Sequence, residues 1–169
     1  MKALTFCFIF TILFSTSLFA QMSIPVAVDN NVFDSMVGDW TAESQVMGIP
    51  VIESVKSYWD LNHQFLIIES QAVGKDNTSF SFQRKQIIGI DDKGNAKTWS
   101  FDSWGAPSVA TGTGFFDGDV LTITEGNDVF KQTKTASVSG NDLTVTSKGS
   151  VVTAGKDVTY DNTTVYKKK

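Results

Sequence analysis

Gly38-Asp39-Trp40 opens the first of a run of short strands separated by turns, and the reading of that run decides the fold. After Trp40 the alternation is of period two, the mark of half-buried β-strands. Strands are expected over 40–46, 51–60, 64–73, 79–91, 97–101, 109–116, 120–124, 129–138, 142–150 and 156–167. Between them stand Met47-Gly48-Ile49-Pro50, Asn62-His63, Gly74-Lys75-Asp76-Asn77, Asp91-Asp92-Lys93-Gly94-Asn95, Asp117-Gly118-Asp119, Glu125-Gly126-Asn127, Gly140-Asn141 and Ala154-Gly155. Gly, Asn and Asp reach the positive φ that tight hairpin turns require. Strands joined by connections this short pair antiparallel, because parallel pairing needs long crossovers. Closing the sheet removes exposed edges. The expected fold is therefore all-β: a single antiparallel up-and-down barrel of about 8–10 strands, a size that encloses a ligand-sized space.

Upstream of Gly38, the residues Val32, Phe33, Met36 and Val37 fall at helical spacing. They predict a short N-terminal helix that caps one end of the barrel. Residues 21–31 show no regular period and read as a loose leader. Residues 1–20 begin with Met1-Lys2, continue through the apolar run from Ala3 to Phe14, and end at the small Ala20. That is the pattern of a secretory signal peptide. Removal at Ala20 takes away Cys7, the single cysteine, so the exported chain has no disulfide and relies on its core. The division is a signal peptide (1–20), a leader (21–31) and one barrel domain (32–169), with export to the periplasm or the extracellular space. No membrane span is expected in the mature chain.

The net charge of -4 and the absence of a basic stripe argue against nucleic acid as a partner. Lys167-Lys168-Lys169 reads as a solvated tail. One histidine, His63, and no cysteine in the mature chain leave no metal set and no cofactor to expect. There is no Gly-x-Ser-x-Gly elbow, and no pair of carboxylates is selected by spacing. Catalysis finds no convergent set of groups, and the question of an enzyme stays open.

Arg84 is the only arginine. Period two places it on one face with Phe80, Phe82, Ile88 and Ile90, while Ser81, Gln83 and Lys85 take the other. An arginine on an apolar inner face needs a carboxylate partner. That partner is either a ligand's acid group or an internal residue, with Glu69 on the preceding strand as the candidate; a rim position in water is the third alternative. Trp59, Trp99, Phe101 and Trp104 are candidates to line a cavity for an apolar ligand. Trp104 lies in Ser103-Trp104-Gly105-Ala106-Pro107, read as a loop at the barrel mouth.

Gly38-Asp39-Trp40 on a first strand resembles the calycin group, which includes the lipocalins and fatty-acid-binding proteins. The resemblance implies that Trp40 plugs one end of the barrel with a basic residue over it. Lys167, beside Tyr166, takes the place where the group usually carries arginine. Ile88-Gly89-Ile90-Asp91, Trp99-Ser100-Phe101-Asp102-Ser103-Trp104-Gly105, and Gly112-Thr113-Gly114-Phe115-Phe116-Asp117-Gly118 with Leu121-Thr122 follow one another in order. Together they are similar to a family of secreted bacterial lipocalin-like proteins of unassigned function. That resemblance implies a fold and a compartment and brings no catalytic residues.

The function read from the sequence is binding of a small apolar or amphipathic molecule, an acid if Arg84 anchors it, inside the barrel. The alternative is a structural or interaction protein with a filled barrel that binds a protein or glycan through its loops. The oligomeric state is not legible.

Overall fold

Glycines at the corners let short strands turn back on one another: Gly118 (φ 55°) and Gly140 (φ 59°) each join two strands through a tight turn. This computed structural model describes residues 25–46, 48–76, 79–153 and 155–169. The helix α1 (Asn31–Met36) precedes the strands β1 (Gly38–Val46), β2 (Ile49–Asp60), β3 (Phe65–Gly74), β4 (Ser81–Ile90) and β5 (Ala96–Asp102). After a 3-10 turn (Ala106–Ser108) come β6 (Ala110–Asp117), β7 (Val120–Gly126), β8 (Phe130–Ser139), β9 (Asp142–Thr153) and β10 (Lys156–Lys168). Each strand pairs antiparallel with its sequence neighbours, and β1 pairs with β10, so the ten form a closed up-and-down barrel. That closure rests on Trp40↔Lys168 and Thr41↔Lys167, whereas β9 and β10 are in register over their whole length.

The expected signal peptide, Cys7 and leader residues 21–24 lie outside the described residues, as do Met47, Asn77 and Ala154 of three turns. The rest of the leader lies against the β2–β3 turn. The Val28 N–H donates to the His63 carbonyl (3.0 Å), and the Gln64 side chain donates to the Val26 carbonyl (2.8 Å).

The helix forms where expected. Asn30 caps it by accepting the Phe33 N–H at 2.9 Å, which satisfies one of the orphan donors of the first turn. Its face of Val32, Phe33 and Met36 is buried. It closes one end of the barrel over Trp40, Leu66, Ile88, Leu121, Leu143 and Tyr166. Trp40 is wholly buried, and its indole N–H donates to the Met36 carbonyl at 3.0 Å. The basic residue over its ring is Lys168, 5.1 Å from the centroid, rather than the expected Lys167. Period two explains the correction: Tyr166 faces inward, so Lys168 shares its face. Lys167 faces outward and donates to Asp142 at 2.6 Å.

Candidate functional site

The opposite half of the barrel interior is polar. In β7, alternation turns Leu121, Ile123 and Glu125 inward, and the strand continues to Gly126, two residues beyond its expected end. Glu125 is thereby a wall residue facing the lumen rather than part of a turn. Its side chain has no solvent exposure. Oε1 accepts from Arg84 Nη2 (2.5 Å), Gln132 (2.8 Å) and Lys134 Nζ (2.9 Å). Oε2 accepts from the Ser100 hydroxyl (2.8 Å) and the Gln86 amide (3.1 Å), and Gln86 also donates to the Thr98 hydroxyl (2.8 Å). The Tyr160 hydroxyl extends the cluster by donating to the Gln132 side-chain oxygen Oε1 at 3.0 Å. Five donors from β4, β5 and β8 thus converge on one carboxylate.

Close backbone approach makes room for these side chains. Gly112 is the register partner of Glu125, and Gly149 that of Gln132. A Cβ on Gly112 would come within 2.3 Å of the Thr124 carbonyl oxygen, and one on Gly149 within 2.2 Å of the Lys131 carbonyl oxygen. Both positions exclude a side chain by space alone.

The electrostatics follow from this packing. Burial is the largest single influence on the Glu125 carboxyl and opposes its charge. The Lys134 and Arg84 cations and the hydrogen bonds from Lys134 and Ser100 together outweigh it and hold the group down at about 2. Burial first, and then repulsion from Arg84, lowers the Lys134 ammonium to about 8 against the pull of Glu125. Burial raises Tyr160. A second inward carboxylate, Glu53, accepts the Tyr166 hydroxyl at 2.6 Å and also the Ser44 hydroxyl. Burial, and then Glu53, raises Tyr166.

Arg84 and Lys134 keep 18% and 19% of their side-chain surface open, in contrast to the sealed Glu125. Arg84 Nε is shielded and has no hydrogen-bond partner. Toward the end away from α1, the inward positions become apolar again, with Phe82 on β4, Val51 on β2, Phe130 on β8 and Val151 on β9. Trp104 leans on Phe82, with ring centroids 5.0 Å apart, and is 58% exposed. Its loop is set by Asp102, which accepts the Trp104 N–H (2.9 Å) and the Ser108 hydroxyl.

The expected site residues therefore divide. Arg84 and Phe82 face the interior, Phe80 is half-buried just before β4, and Trp104 stands at the mouth. Glu69 does not pair with Arg84. It is on the outer face, where it accepts from Lys85 (3.0 Å) and the Tyr58 hydroxyl (3.2 Å). The hydrogen bond from Lys85 is the main cause of its lowered pKa. Trp99 and Phe101 also stand outside, 39% and 42% exposed, because β5 turns Thr98 and Ser100 inward to serve Gln86 and Glu125. Trp59 faces inward but at the helix end: its indole N–H donates to Asp34 (2.7 Å), and its ring stacks on His63 (5.0 Å). An inner wall apolar apart from Arg84 is likewise corrected by Glu125, Lys134, Gln86 and Gln132. Glu125 and Lys134 share the inward parity of their strands with Ile123 and Ala136, a signal that could have found both.

On the outer wall, Ser54, Lys56, Glu69, Gln71, Gln83, Lys85, Phe101 and Ser103 border an open depression of about 560 Å³. The sequence matches no known family model and no curated protein.

Proposed function

We propose that this chain is an exported, lipocalin-like barrel that holds a small amphipathic molecule in its open half, with the molecule's acid group toward Arg84. The observation that carries this reading is the division of exposure around Glu125. The carboxylate is sealed, while the two cations that hold it keep nearly a fifth of their side-chain surface open, and Phe82 and Phe130 take the next inward positions on the same strands. Apolar walls with a few placed polar groups are the usual make-up of a small-molecule site. The helix and Trp40 close the other end, so the ligand enters past Trp104. Binding of this kind requires neither cofactor nor catalytic group.

Titration of purified protein with short-chain fatty acids tests the reading. A saturable change in tryptophan emission is expected, and it weakens in Trp104→Ala. The organic extract of the purified protein should contain a small amphipathic compound by mass spectrometry. No saturable response to any acyl ligand, together with an empty extract, would end it.

The rival reading, an interaction protein acting through its surface, draws on a different observation. Trp99, Phe101, Trp104 and Phe115 are large apolar side chains left in solvent. Under that reading Trp99→Ser and Phe101→Ser abolish binding to a protein or glycan, and the barrel interior takes no ligand.

A further inference from the structure

We propose that the seam between β1 and β10 is a docking edge for an extended, lysine-bearing peptide strand that pairs antiparallel with β10. The edge lies in the barrel wall and is independent of what the interior holds.

The wall closes over two register pairs, Trp40↔Lys168 and Thr41↔Lys167. Every other neighbouring pair of strands is joined over five or more. The Lys168 N–H donates to the Asn141 carbonyl on the β9 side, and the Lys169 N–H to the Asp39 carbonyl on the β1 side, both at 2.9 Å. Main-chain groups alternate between the two sides of an antiparallel strand. Asp157, Thr159, Asp161, Thr163 and Val165 therefore aim both N–H and C=O at the seam, where no strand meets them among the described residues. Glu43 and Gln45 of β1 face the same seam without a strand partner. Exposure agrees with an interrupted wall. Asn162 has the inward parity of Tyr166 and stands in one register row with Ser147, Lys134 and the buried Ile123, yet it is exposed.

An unpaired row of main-chain donors and acceptors is a template for another extended backbone. Side chains say which backbone fits. The free edge segments, 157–165 of β10 and 42–46 of β1, carry Asp157, Asp161 and Glu43 and no lysine or arginine. Period two turns all three outward. Asp161 and Glu43 meet Lys148 and Lys75 in exposed pairs, worth little at such exposure. Asp157 has no ion pair among the described residues. A basic strand complements this edge, whereas a second copy would bring the same carboxylates to it.

The odd-numbered residues of β10 supply both the outward side chains and the free main-chain groups. In antiparallel pairing the residue directly opposite shares both properties. The incoming strand therefore bonds through the main chain of its outward residues, and these are the lysines. Its alternate residues turn inward, where Val51 and Val151 face the lumen, and are apolar.

Fluorescence anisotropy of the purified protein with a labelled peptide of about ten residues, alternating valine and lysine, tests this. Saturable binding is expected. N-methylation at the lysines should weaken it roughly ten-fold or more, because each blocked N–H removes a bond to β10; N-methylation at the valines should leave it nearly unchanged. Thr159→Pro removes an N–H that the fold does not use, at an edge position where proline is tolerated, and should weaken binding several-fold. Thr159→Ala should not. Equal loss from the two methylations, or none from either, would mean adsorption by charge and overturns the docking edge, as does a peptide that does not bind. A dimer that Thr159→Pro dissociates and that ignores the peptide gives the edge to a second copy and overturns the peptide assignment. The methylation comparison uses the parent protein, so it decides the outcome even if Thr159→Pro fails to fold.

Discussion

Arg84 on β4 and Glu125 on β7 meet at 2.5 Å although β5 and β6 stand between their strands in the wall. The bond therefore runs through the lumen and ties together two strands three places apart in the wall. In a chain whose closed end is apolar, this polar cross-brace is the second element that holds the barrel's shape. Breaking and replacing it have different consequences. Glu125→Leu leaves Arg84 and Lys134 buried without an anion and is expected to cost about 3–5 kcal/mol. Adding Arg84→Met and Lys134→Met to Glu125→Leu removes the stranded charges, and most of the loss should return. Urea unfolding of the single and triple variants checks this. A triple variant no more stable than the single one would show that the cluster acts through something other than charge pairing.

Acid should weaken the same brace. Glu125 has a folded value of about 2 against an ordinary value of 4.5. A depressed carboxyl adds stability that is fully present above the unfolded value and is lost as pH falls through the folded one. The contribution is on the order of 3 kcal/mol, and it fades between about pH 5 and pH 2. Unfolding free energy measured across that window should fall steeply in the parent. In Glu125→Gln it should fall by less, with the remaining slope due to other carboxylates. Parallel curves for the two proteins would contradict the assignment.

The parts of this arrangement that were legible in the sequence are those governed by local rules. Alternation alone turned Arg84, Phe82 and Ile88 to one face, and the Gly-Asp-Asn corners marked the hairpins. The helix was legible from the spacing of Val32, Phe33 and Met36. Glu125 shares the parity of Ile123, but the turn chemistry of Gly126-Asn127 beside it ends the expected strand at Thr124 and masks that signal. Trp99 and Phe101 misled for the opposite reason. Burying aromatics is the usual rule, yet β5 buries Ser100, which bonds the sealed carboxylate, and Thr98, which bonds Gln86 beside it. The partner of Arg84 lies three strands away around the barrel, and no pairing rule between adjacent strands reaches that far.

Lys134 should titrate unlike the other lysines. Its ammonium is lowered to about 8, first by burial and then by Arg84. Between that value and its ordinary 10.5, the folded protein binds fewer protons at this site than the unfolded chain. The site's contribution to stability therefore rises with pH in that window. A carbon-13 titration of the lysine ε-carbons should show one resonance with a midpoint near 8. Arg84→Met, which removes the repelling cation, should move that midpoint upward. A midpoint that stays put in Arg84→Met would mean that burial alone sets it.

The closed end tests which lysine belongs to the plug. Trp40 is fully buried under α1 and bonded to the Met36 carbonyl, so Trp40→Ala removes a large side chain and the tie that holds the helix. A loss of about 3–5 kcal/mol is expected. Lys168 lies over the same ring and shields it, a cation–π contact worth about 0.5–1 kcal/mol at a site this open. Lys167 spends its charge on exposed Asp142, a surface pair whose removal is worth between nothing and about 1 kcal/mol. Thermal unfolding of Lys168→Met and Lys167→Met in parent and Trp40→Phe backgrounds separates the two. Coupling to Trp40 should appear for Lys168 alone. If the coupling appeared instead at Lys167, the register of β10 against β1 would have to shift by one residue, and every inward assignment on that strand, Tyr166 and Tyr160 included, would reverse.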